Sequence, residues 1–375
     1  MRNLYRDPVR SFQTVTGSAL VVFLVVAAGT LTLSMDQVLQ TSGSARNVLL
    51  IGKGSEESIE RSEVVTGAES AAATTITGVV ETLGIPAVSG EIFYQAPIAT
   101  ETGQKGQAIL RGVLESALLV HTSVQLTDGR FPRSGEVIVG NLVHRKLGVP
   151  RSELAAGKTI QMEGETLTIS GTFVAPGTVL ESEIWFDRND LATLTQRETL
   201  SSITVRTSSE DTSNAELFAF QRNDLELAAI REDRYYENLG AFYKPIKIMT
   251  WMTAGLVGAG ALFGGLNTLY AAFASRVTEM ATLQAIGYTR LSLLISLIQE
   301  SLLATLAGTL FAFLSAWFLL DGRTVPFSIG TLTLTLTPTV IVAGLLTGAL
   351  LGTLGTAPPA LRCLLPPLTK SLRSN

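Results

Sequence analysis

Four runs of apolar residues stand out along the chain, and the longest polar stretch lies between the first two of them. The runs cover residues 15–33, 247–274, 290–320 and 339–357. A membrane-spanning helix requires about 20 mainly apolar residues, so each run is predicted to be a transmembrane helix. The polar segments that remain are 1–14, 34–246, 275–289, 321–338 and 358–375.

The segment 34–246 alternates short apolar strands with helical patterns, which is typical of an α+β domain. Its clearest hairpin is Lys158–Val174, in which apolar and polar residues alternate on either side of a turn at Gly164. Further strands are predicted directly after Asn47 and at Glu91–Ile98, Val137–Val139, Ile184–Phe186, Ser202–Arg206 and Leu227–Ile230. The fold class is therefore a membrane α-helical bundle of four transmembrane helices with an α+β extracytoplasmic domain.

Helices are predicted at four places in the same segment. They are a mostly helical stretch over Ser55–Leu83, a helix between an Asn141 N-cap and Gly148, a helix from an Asp187 cap through Leu194, and Ala215–Arg222. We expect two lobes. One places Asn47–Ile98 beside the last elements of the domain, and the more β-rich one is Gly106–Phe186.

The charges of the chain predict its orientation. The segment 34–246 holds 18 basic and 28 acidic residues, a net charge of -10, whereas the rest of the chain holds 10 and 4, a net charge of +6. The basic residues near the span ends are Arg2, Arg6, Arg10, Arg276, Arg290, Arg362, Lys370 and Arg373, opposed by Asp7 and Glu279. They all lie on one side, which the positive-inside rule makes cytoplasmic. Segments 1–14, as an interfacial helix, 275–289 and 358–375 are then cytoplasmic, and 321–338 is a short external loop. The alternative for Met1–Ala28 is a cleaved signal peptide.

The segment 275–289 is a short charged hairpin between the second and third apolar runs. Its apolar side chains, which we expect to face the membrane or the helix bundle, are Val277, Met280, Ala281 and Ile286. Its polar side chains, which remain for a cytoplasmic partner, are Arg276, Glu279, Gln284 and Tyr288. Gly287 suits the end of a helix.

The hairpin carries a family resemblance. The matching residues, in order and spacing, are Asn267, Arg276, Glu279, Leu283, Ala285, Gly287 and Glu300. The chain resembles the FtsX/MacB-type ABC permeases, which have this pattern between their second and third membrane helices. A second stretch, GRFPRSGEVIVG from Gly129 to Gly140, resembles the external domains of the same family.

This resemblance implies a permease subunit in the bacterial cytoplasmic membrane, with both termini cytoplasmic. The hairpin would be a coupling helix that docks on an ABC ATPase subunit through Arg276, Glu279, Leu283, Gln284, Ala285, Gly287 and Tyr288. We expect ATP and Mg²⁺ in that partner, because VLLIGKG after Asn47 lacks the P-loop pattern and the pattern occurs nowhere else in the sequence. Expected partners are a second permease chain, as a homodimer or a pseudo-symmetric dimer, membrane lipid, and a periplasmic adaptor as a further candidate. The activity would be export, extraction or transmembrane signalling. The alternative is a membrane-anchored extracytoplasmic sensor or binding protein without transport.

The apolar runs contain two notable groups of residues, polar side chains and regularly spaced glycines. Asn267 and Glu300 are polar residues at or near membrane depth, where such groups are costly unless paired; we expect them to be partners, although Glu300 at the headgroup level is equally compatible. The small residues at four-residue spacing are Gly260 and Gly264 in the second run and Gly344, Gly348 and Gly352 in the fourth. This spacing favours close helix packing, and the alternative is general flexibility of a glycine-rich span.

The sequence gives little support for a metal site, acid–base catalysis, nucleic-acid binding or disulfide bonds in the external domain. His121 and His144 are the only histidines and lie far apart, so we expect surface or capping positions for them and no metal site. Glu56, Glu57, Glu60 and Glu63 have the spacing of a solvated face rather than of an acid–base pair. The acidic domain lacks a basic surface for nucleic acid. The only cysteine, Cys363, follows the last apolar run, so disulfides cannot hold the external domain together.

Overall fold

The computed structural model describes residues 8–274 and 276–365, which form two compact units. The helical unit contains the described chain up to Leu33, Lys244–Arg323 and the described chain from Leu334 onward. The α+β unit contains Ser34–Tyr243 and Thr324–Thr333. The predicted interfacial helix 1–14 lies partly outside the described residues, as do Arg2, Arg6, Lys370 and Arg373.

The elements of the described chain have the following bounds. The helices are α1 Pro8–Ser42, α2 Gly67–Thr75, α3 Ala117–Val120, α4 Val143–Leu147, α5 Arg188–Thr195, α6 Ser213–Gln221, α7 Glu232–Phe242, α8 Lys244–Ala274, α9 Val277–Ala285, α10 Arg290–Leu319, α11 Pro338–Leu354 and α12 Ala357–Leu364. The strands are β1 Asn47–Gly52, β2 Glu81–Thr82, β3 Ile85–Pro86, β4 Val88–Thr100, β5 Lys105–Val113, β6 Gln125–Gly129, β7 Glu136–Gly140, β8 Thr159–Met162, β9 Glu165–Val174, β10 Glu183–Asp187, β11 Ser202–Arg206, β12 Leu227–Arg231, β13 Thr324–Phe327 and β14 Gly330–Thr333.

Four helical stretches in the described chain are long and apolar enough to cross a membrane. They are Phe12–Ser42, Lys244–Ala274, Arg290–Leu319 and Pro338–Leu364. They coincide with the four apolar runs of the sequence, and this confirms the prediction of four apolar helices. The first helix continues beyond the predicted end at residue 33, because Met35, Val38 and Leu39 extend an apolar face that is buried.

The helical unit is held together mainly by α1, α10 and α11. Val22 and Val26 of α1, with Ala312 and Ala316 of α10 and Val340 of α11, form one buried apolar cluster. Small residues predominate on the α10 side of this cluster, so the helix axes approach closely. By contrast, only 6% of the apolar window of α8 is buried, so most of its surface is not covered by the described residues.

The strands of the α+β unit follow the order β12-β1-β11-β4-β5-β10-β7-β9-β6, and β8 pairs with β4 and β9. The long strand β4 belongs to both halves of this path. Its first residues, from Val88 to Glu91, pair with β11, whereas Ile92 to Ala99 pair with β5. The strand β4 therefore connects the two groups of strands within one unit, and β1 lies beside β11 and β12 as expected.

The structure confirms most of the predicted strands and corrects some of the helices. The Lys158–Val174 hairpin forms as β8 and β9, and the Asp187 side chain caps α5 by accepting hydrogen bonds from the backbone of Asn189 and Asp190. The prediction of a mostly helical Ser55–Leu83 is wrong. Only α2 and a short 3₁₀ turn form there, because Gly78 and Gly84 adopt positive φ angles and open the β2–β3 hairpin.

Three further expectations are corrected. Leu142, not Asn141, precedes α4. The Asn141 side chain instead donates a hydrogen bond to the Glu181 side chain, and the backbone carbonyl of Asn141 accepts one from His144. His121 is buried rather than at the surface, although it does occupy a capping position, at the C-terminal end of α3. The segment expected to be a plain loop, 321–338, contains the β13–β14 hairpin, since Val325 and Leu332 can pair across its turn.

Candidate functional site

The predicted coupling hairpin forms as α9, between α8 and α10. A positive φ of 111° at Gly287 ends it, and the Tyr288 amide turns back to donate to the Leu283 carbonyl at 3.1 Å. Of the residues proposed to meet an ATPase, Glu279, Ala285, Gly287 and Tyr288 are exposed, whereas Arg276, Leu283 and Gln284 are half-buried. The exposed members form a surface of mixed charge and aromatic character.

The other side of α9 packs on its own unit. Val277, Met280 and Leu283 contact a buried cluster that includes Phe273 and Leu297. Leu283 therefore belongs to the packed side of the hairpin, although the resemblance placed it among the coupling residues. Ile286, which we expected to face the bundle or membrane, is 71% exposed beside Tyr288 and adds apolar area to the exposed surface.

Glu300 is paired with Arg276 rather than with Asn267. The Arg276 Nη1 donates to both carboxylate oxygens of Glu300, at 3.2 and 3.3 Å, and so ties the start of α9 to the third turn of α10. Asn267 is exposed on α8. The expected Asn267–Glu300 partnership is therefore wrong, because the guanidinium reaches the carboxylate and offers it a charge as well as hydrogen bonds.

The glycines of α11 lie where another helix approaches most closely. A side chain at Gly348 would overlap the Thr309 hydroxyl of α10, and one at Gly344 would come within 2.8 Å of Phe313 and Val26. Gly352 faces Thr305 and Leu302 in the same way. In α8, by contrast, Gly260 and Gly264 have open space beside them within the chain. The two glycine patterns therefore have different surroundings.

A buried ionic network lies in the α+β unit. Arg111 on β5 makes a bidentate pair with Glu183 on β10, at 2.6 and 2.7 Å, and donates to Glu91 on β4 at 2.5 Å. The second oxygen of Glu91 meets the His121 Nε2 at 2.7 Å. The Nδ1 of His121 faces Glu232 of α7 at 3.9 Å. All five side chains are almost fully buried, so their charges interact strongly and depend on one another.

The protonation states in this network follow from burial and neighbouring charge. Burial disfavours the charged form of Glu91, but the charges of His121 and Arg111 outweigh it and lower its pKa to about 2. Burial also opposes the charge of His121, yet Glu91 beside it raises the pKa of the imidazole. Burial raises the pKa of Glu232. The arrangement therefore favours an ionised Glu91 and a proton on His121, and Glu232 takes up a proton more readily than Glu91.

The network extends to Glu232, the first residue of α7, which contacts the residues that directly follow α1. The Glu232 carboxylate accepts hydrogen bonds from the Ser44 amide at 3.0 Å and the Asn47 side chain at 2.9 Å, just after α1. Gly43 lies so close to α7 that a Cβ atom there would come within 2.9 Å of the Asp233 amide. One carboxylate thus joins the end of α1, the start of β1 and the first turn of α7.

Sequence reasoning did not find this network. Its members are single charged residues within apolar strands, as in AILRGV around Arg111 and EIWF from Glu183. A charge at an inward-facing strand position was the available signal, because such a residue must find a partner when it is buried. Nothing in the sequence identified which residue that partner would be.

A metal centre finds no support in the part of the chain that the structure describes. No group of three or more His, Cys, Asp or Glu side chains converges there in a way that could hold an ion. His144 lies on α4, where its Nδ1 donates to the Asn141 carbonyl at 2.7 Å. Cys363 is buried in α12 and its thiol donates to the Phe273 carbonyl at 3.3 Å.

Two models of known protein families match the sequence. The sequence matches the MacB-like periplasmic core domain over residues 11–221, more than half of the chain, and the FtsX-like permease C-terminal domain over 251–364. Among curated proteins, none matches the chain.

Several solved structures resemble the chain, and two of them are described here. The periplasmic region of MacB from Actinobacillus actinomycetemcomitans is similar at 12% identity and a TM-score of 0.41, covering 55% of this chain and 97% of that one. The extracellular domain of the ABC-type transporter YknZ from Gram-positive bacteria is similar at 16% identity and a TM-score of 0.39, covering 49% and 99%.

Proposed function

The chain belongs to the MacB/FtsX family of ABC transporter permeases, and from this premise we propose that it is the membrane subunit through which a separate ATPase chain moves the α+β unit. ATP and Mg²⁺ would be bound by that partner. The movement would serve export, extraction or signalling across the bacterial cytoplasmic membrane. We propose that two permease chains act together, as a homodimer or a pseudo-symmetric dimer, with an adaptor as a further candidate partner.

The observation that carries the proposal is the surface of α9. Glu279 and Tyr288 are exposed at a short hairpin between two apolar helices, while Val277 and Met280 fasten its other side to the helical unit. A force applied to the exposed side would therefore be transmitted to α8 and α10 rather than absorbed by a loose loop. The Arg276–Glu300 pair adds a second attachment to α10.

The orientation is proposed from charge. Arg276, Arg290 and Arg362 flank the apolar helices on the side of α9, and the positive-inside rule makes this side cytoplasmic. The acidic α+β unit is then outside the cytoplasm. Both termini would be cytoplasmic, because four spans return the chain to its starting side.

The buried network supports the transmission of motion. Because α1 is a single helix from Pro8 to Ser42 and Glu232 binds the backbone at Ser44, a displacement of the α1 end acts directly on that carboxylate. Glu232 belongs to α7, which is followed after Tyr243 by α8. Two chain segments that lead to apolar helices are thus fastened to the same buried charges of the sheet.

Charge reversal at Glu279 tests this proposal. The full chain and its ATPase, identified by co-purification, would be reconstituted in lipid, and ATP hydrolysis and ATPase binding would be measured for the parent, Glu279→Lys and Glu81→Lys. Glu81 is exposed on β2 of the α+β unit, so it carries the same change of charge away from α9. We expect Glu279→Lys to lower the affinity for the ATPase, or the rate of ATP hydrolysis by the complex, about tenfold, which corresponds to about 1.4 kcal/mol. Glu81→Lys should behave like the parent.

Two results would overturn the proposal. If both ATPase binding and hydrolysis are unchanged in Glu279→Lys, α9 is not the coupling element. If no ATPase co-purifies with the chain under conditions that preserve its fold, a membrane-anchored sensor or binding protein is favoured instead.

A further inference from the structure

A cavity of about 780 Å³ lies within the α+β unit, beside the ionic network. Its walls come from the 3₁₀ turn at Ile59–Arg61, β4, α7 and the turn between β13 and β14. Arg111 and Glu183 of the network form part of its floor. Cavities of this size that combine apolar walls with a few converging polar groups are the usual form of small-molecule sites.

Aromatic rings dominate the walls. Phe93, Tyr235, Tyr236, Phe242 and Tyr243 all line the cavity. Tyr236 is 6% exposed, so its ring is almost fully buried in the wall. Phe242, in contrast, is 75% exposed at the cavity edge, so its ring is accessible without any rearrangement. Rings of this kind offer a negative face to a cation.

The residues that line the cavity carry a net negative charge, with four acidic side chains against two basic ones. Glu56, Glu57 and Glu60 lie on its rim, with Arg61 as the basic residue among them. Arg111 is neutralised by its two carboxylate partners. Outside the lining, the Lys146 amine is engaged by the Phe327 and Ser328 carbonyls, and its burial lowers its pKa to about 8. An anion would therefore meet net repulsion at the rim, and a cation attraction.

We propose that this cavity binds an amphiphilic organic cation, whose apolar body packs on the tyrosine and phenylalanine rings while its charge lies near the rim carboxylates. The site is separate from α9, and binding there does not require transport. Because Arg111 and Glu183 form the floor, an occupant would also contact the network that holds the end of α1 and the start of α7.

Two ions of nearly equal size and opposite charge test the proposal. The full chain in nanodiscs of zwitterionic lipid would be titrated with radiolabelled tetraphenylphosphonium, with tetraphenylborate as the competitor and empty nanodiscs as the blank for partition into lipid. The charge variant is Glu57→Gln with Glu60→Gln, and its control is Glu81→Gln with Glu165→Gln, two exposed acids away from the cavity. The aromatic variant is Phe242→Leu, and its control is Phe220→Leu, which changes a ring that is 77% exposed on α6.

We expect saturable binding of tetraphenylphosphonium to the parent and no competition by tetraphenylborate. The Glu57/Glu60 variant should weaken binding by about tenfold, or about 1.4 kcal/mol, and Phe242→Leu by about threefold, while both controls retain the parent affinity. All the altered side chains are exposed, so the melting temperature should stay at the parent value and show that the variants are folded. Absence of saturable binding, equal competition by the borate anion, or equal affinity of the charge variant and its control would each overturn the proposal.

Discussion

The Arg276 Nη1 lies 3.2 Å from the Glu300 Oε1, and this pair joins the residue that precedes α9 to α10, the third of the long apolar helices. We predict that Glu300→Gln destabilises the detergent-solubilised chain by roughly 1–3 kcal/mol, because it leaves a half-buried guanidinium with a neutral partner. Arg276→Gln should cost a similar amount. The measurement is the thermal unfolding midpoint of each single variant and of the double variant.

The double variant separates pairing from local effects. If the two residues act as a pair, the double variant should be less destabilised than the sum of the single variants. Asn267→Leu serves as the control, since Asn267 is exposed and the structure does not pair it with Glu300. Additive losses, or a loss in Asn267→Leu equal to that in Glu300→Gln, would contradict the assignment.

The second prediction concerns the centre of the buried network. Glu91→Gln keeps the shape of the side chain but removes the charge that faces both Arg111 and His121. Removal of one partner from a buried ionic pair typically costs about 3–5 kcal/mol, and we expect a loss of this size in the free energy of unfolding of the α+β unit. This loss would be measured by chemical denaturation followed by tryptophan fluorescence. Both the parent and Glu91→Gln would carry Trp251→Phe and Trp317→Phe, so that the buried Trp185, beside Glu183, is the only tryptophan left.

A surface pair provides the control for this measurement. Glu101 pairs with Lys158 at 3.0 Å, but both side chains are well exposed to solvent. Glu101→Gln should therefore leave the transition almost unchanged, since water screens the charges. Equal losses in Glu101→Gln and Glu91→Gln would show that burial of the network has no special consequence.

The third prediction is a dependence of stability on pH. The pKa of His121 is raised in the folded protein, so its contribution is fully present below its unfolded value of 6.5 and is lost as pH rises through the folded value. The groups facing it are Glu91, Glu232 and Arg111. We expect the denaturation midpoint to fall between pH 6 and pH 8, and His121→Gln to flatten this fall. The pKa of His144 is lowered mainly by burial, so His144→Gln should not flatten it. A parent midpoint that is constant over this range would refute the prediction.

At lower pH the sign reverses because of Glu91. Its pKa of about 2 lies below the usual 4.5, so its contribution is present above pH 4.5 and is lost as pH falls toward 2. Across that window the free energy of unfolding should fall less steeply with decreasing pH in Glu91→Gln than in the parent, because the variant has no carboxylate to protonate at this position.

Part of this architecture could be derived from sequence because its signals are local. An apolar run such as 290–320 predicts a helix by its length alone, and the alternation around Gly164 predicts a hairpin from neighbouring residues. The pairing of Glu91 with Arg111 and of Glu232 with Ser44 joins residues that are distant in the chain, and only the strand order brings them together. The sequence showed that Glu300 needs a partner, but a choice between Arg276 and Asn267 required the helix positions.

The fourth prediction concerns topology. Tyr288 is 56% exposed at the end of α9 and Ser134 is exposed before β7, so a cysteine at either position should be accessible to reagents. Cys363 is buried and should react slowly, so it would be replaced by serine. In intact spheroplasts, an impermeant maleimide should label Ser134→Cys, whereas Tyr288→Cys should react only after the membrane is opened. Labelling in the opposite order would overturn the proposed orientation.

The last prediction concerns the glycines of α11. Gly348 faces Thr309 of α10 without space for a side chain, whereas Gly260 of α8 has open space beside it within the chain. In lipid, close packing rather than the hydrophobic effect holds helices together, so Gly348→Leu must push α11 away from α10 and lose that contact. We therefore expect Gly348→Leu to lower the thermal midpoint of the solubilised chain far more than either control. Gly260→Leu adds the same side chain, and Leu346→Ile changes an exposed position.

Blue-native electrophoresis would test whether the α8 glycines pack between chains instead: if they do, Gly260→Leu should dissociate an oligomer without lowering the midpoint. A midpoint for Gly348→Leu equal to that of the parent would show that α11 does not need its glycines for packing.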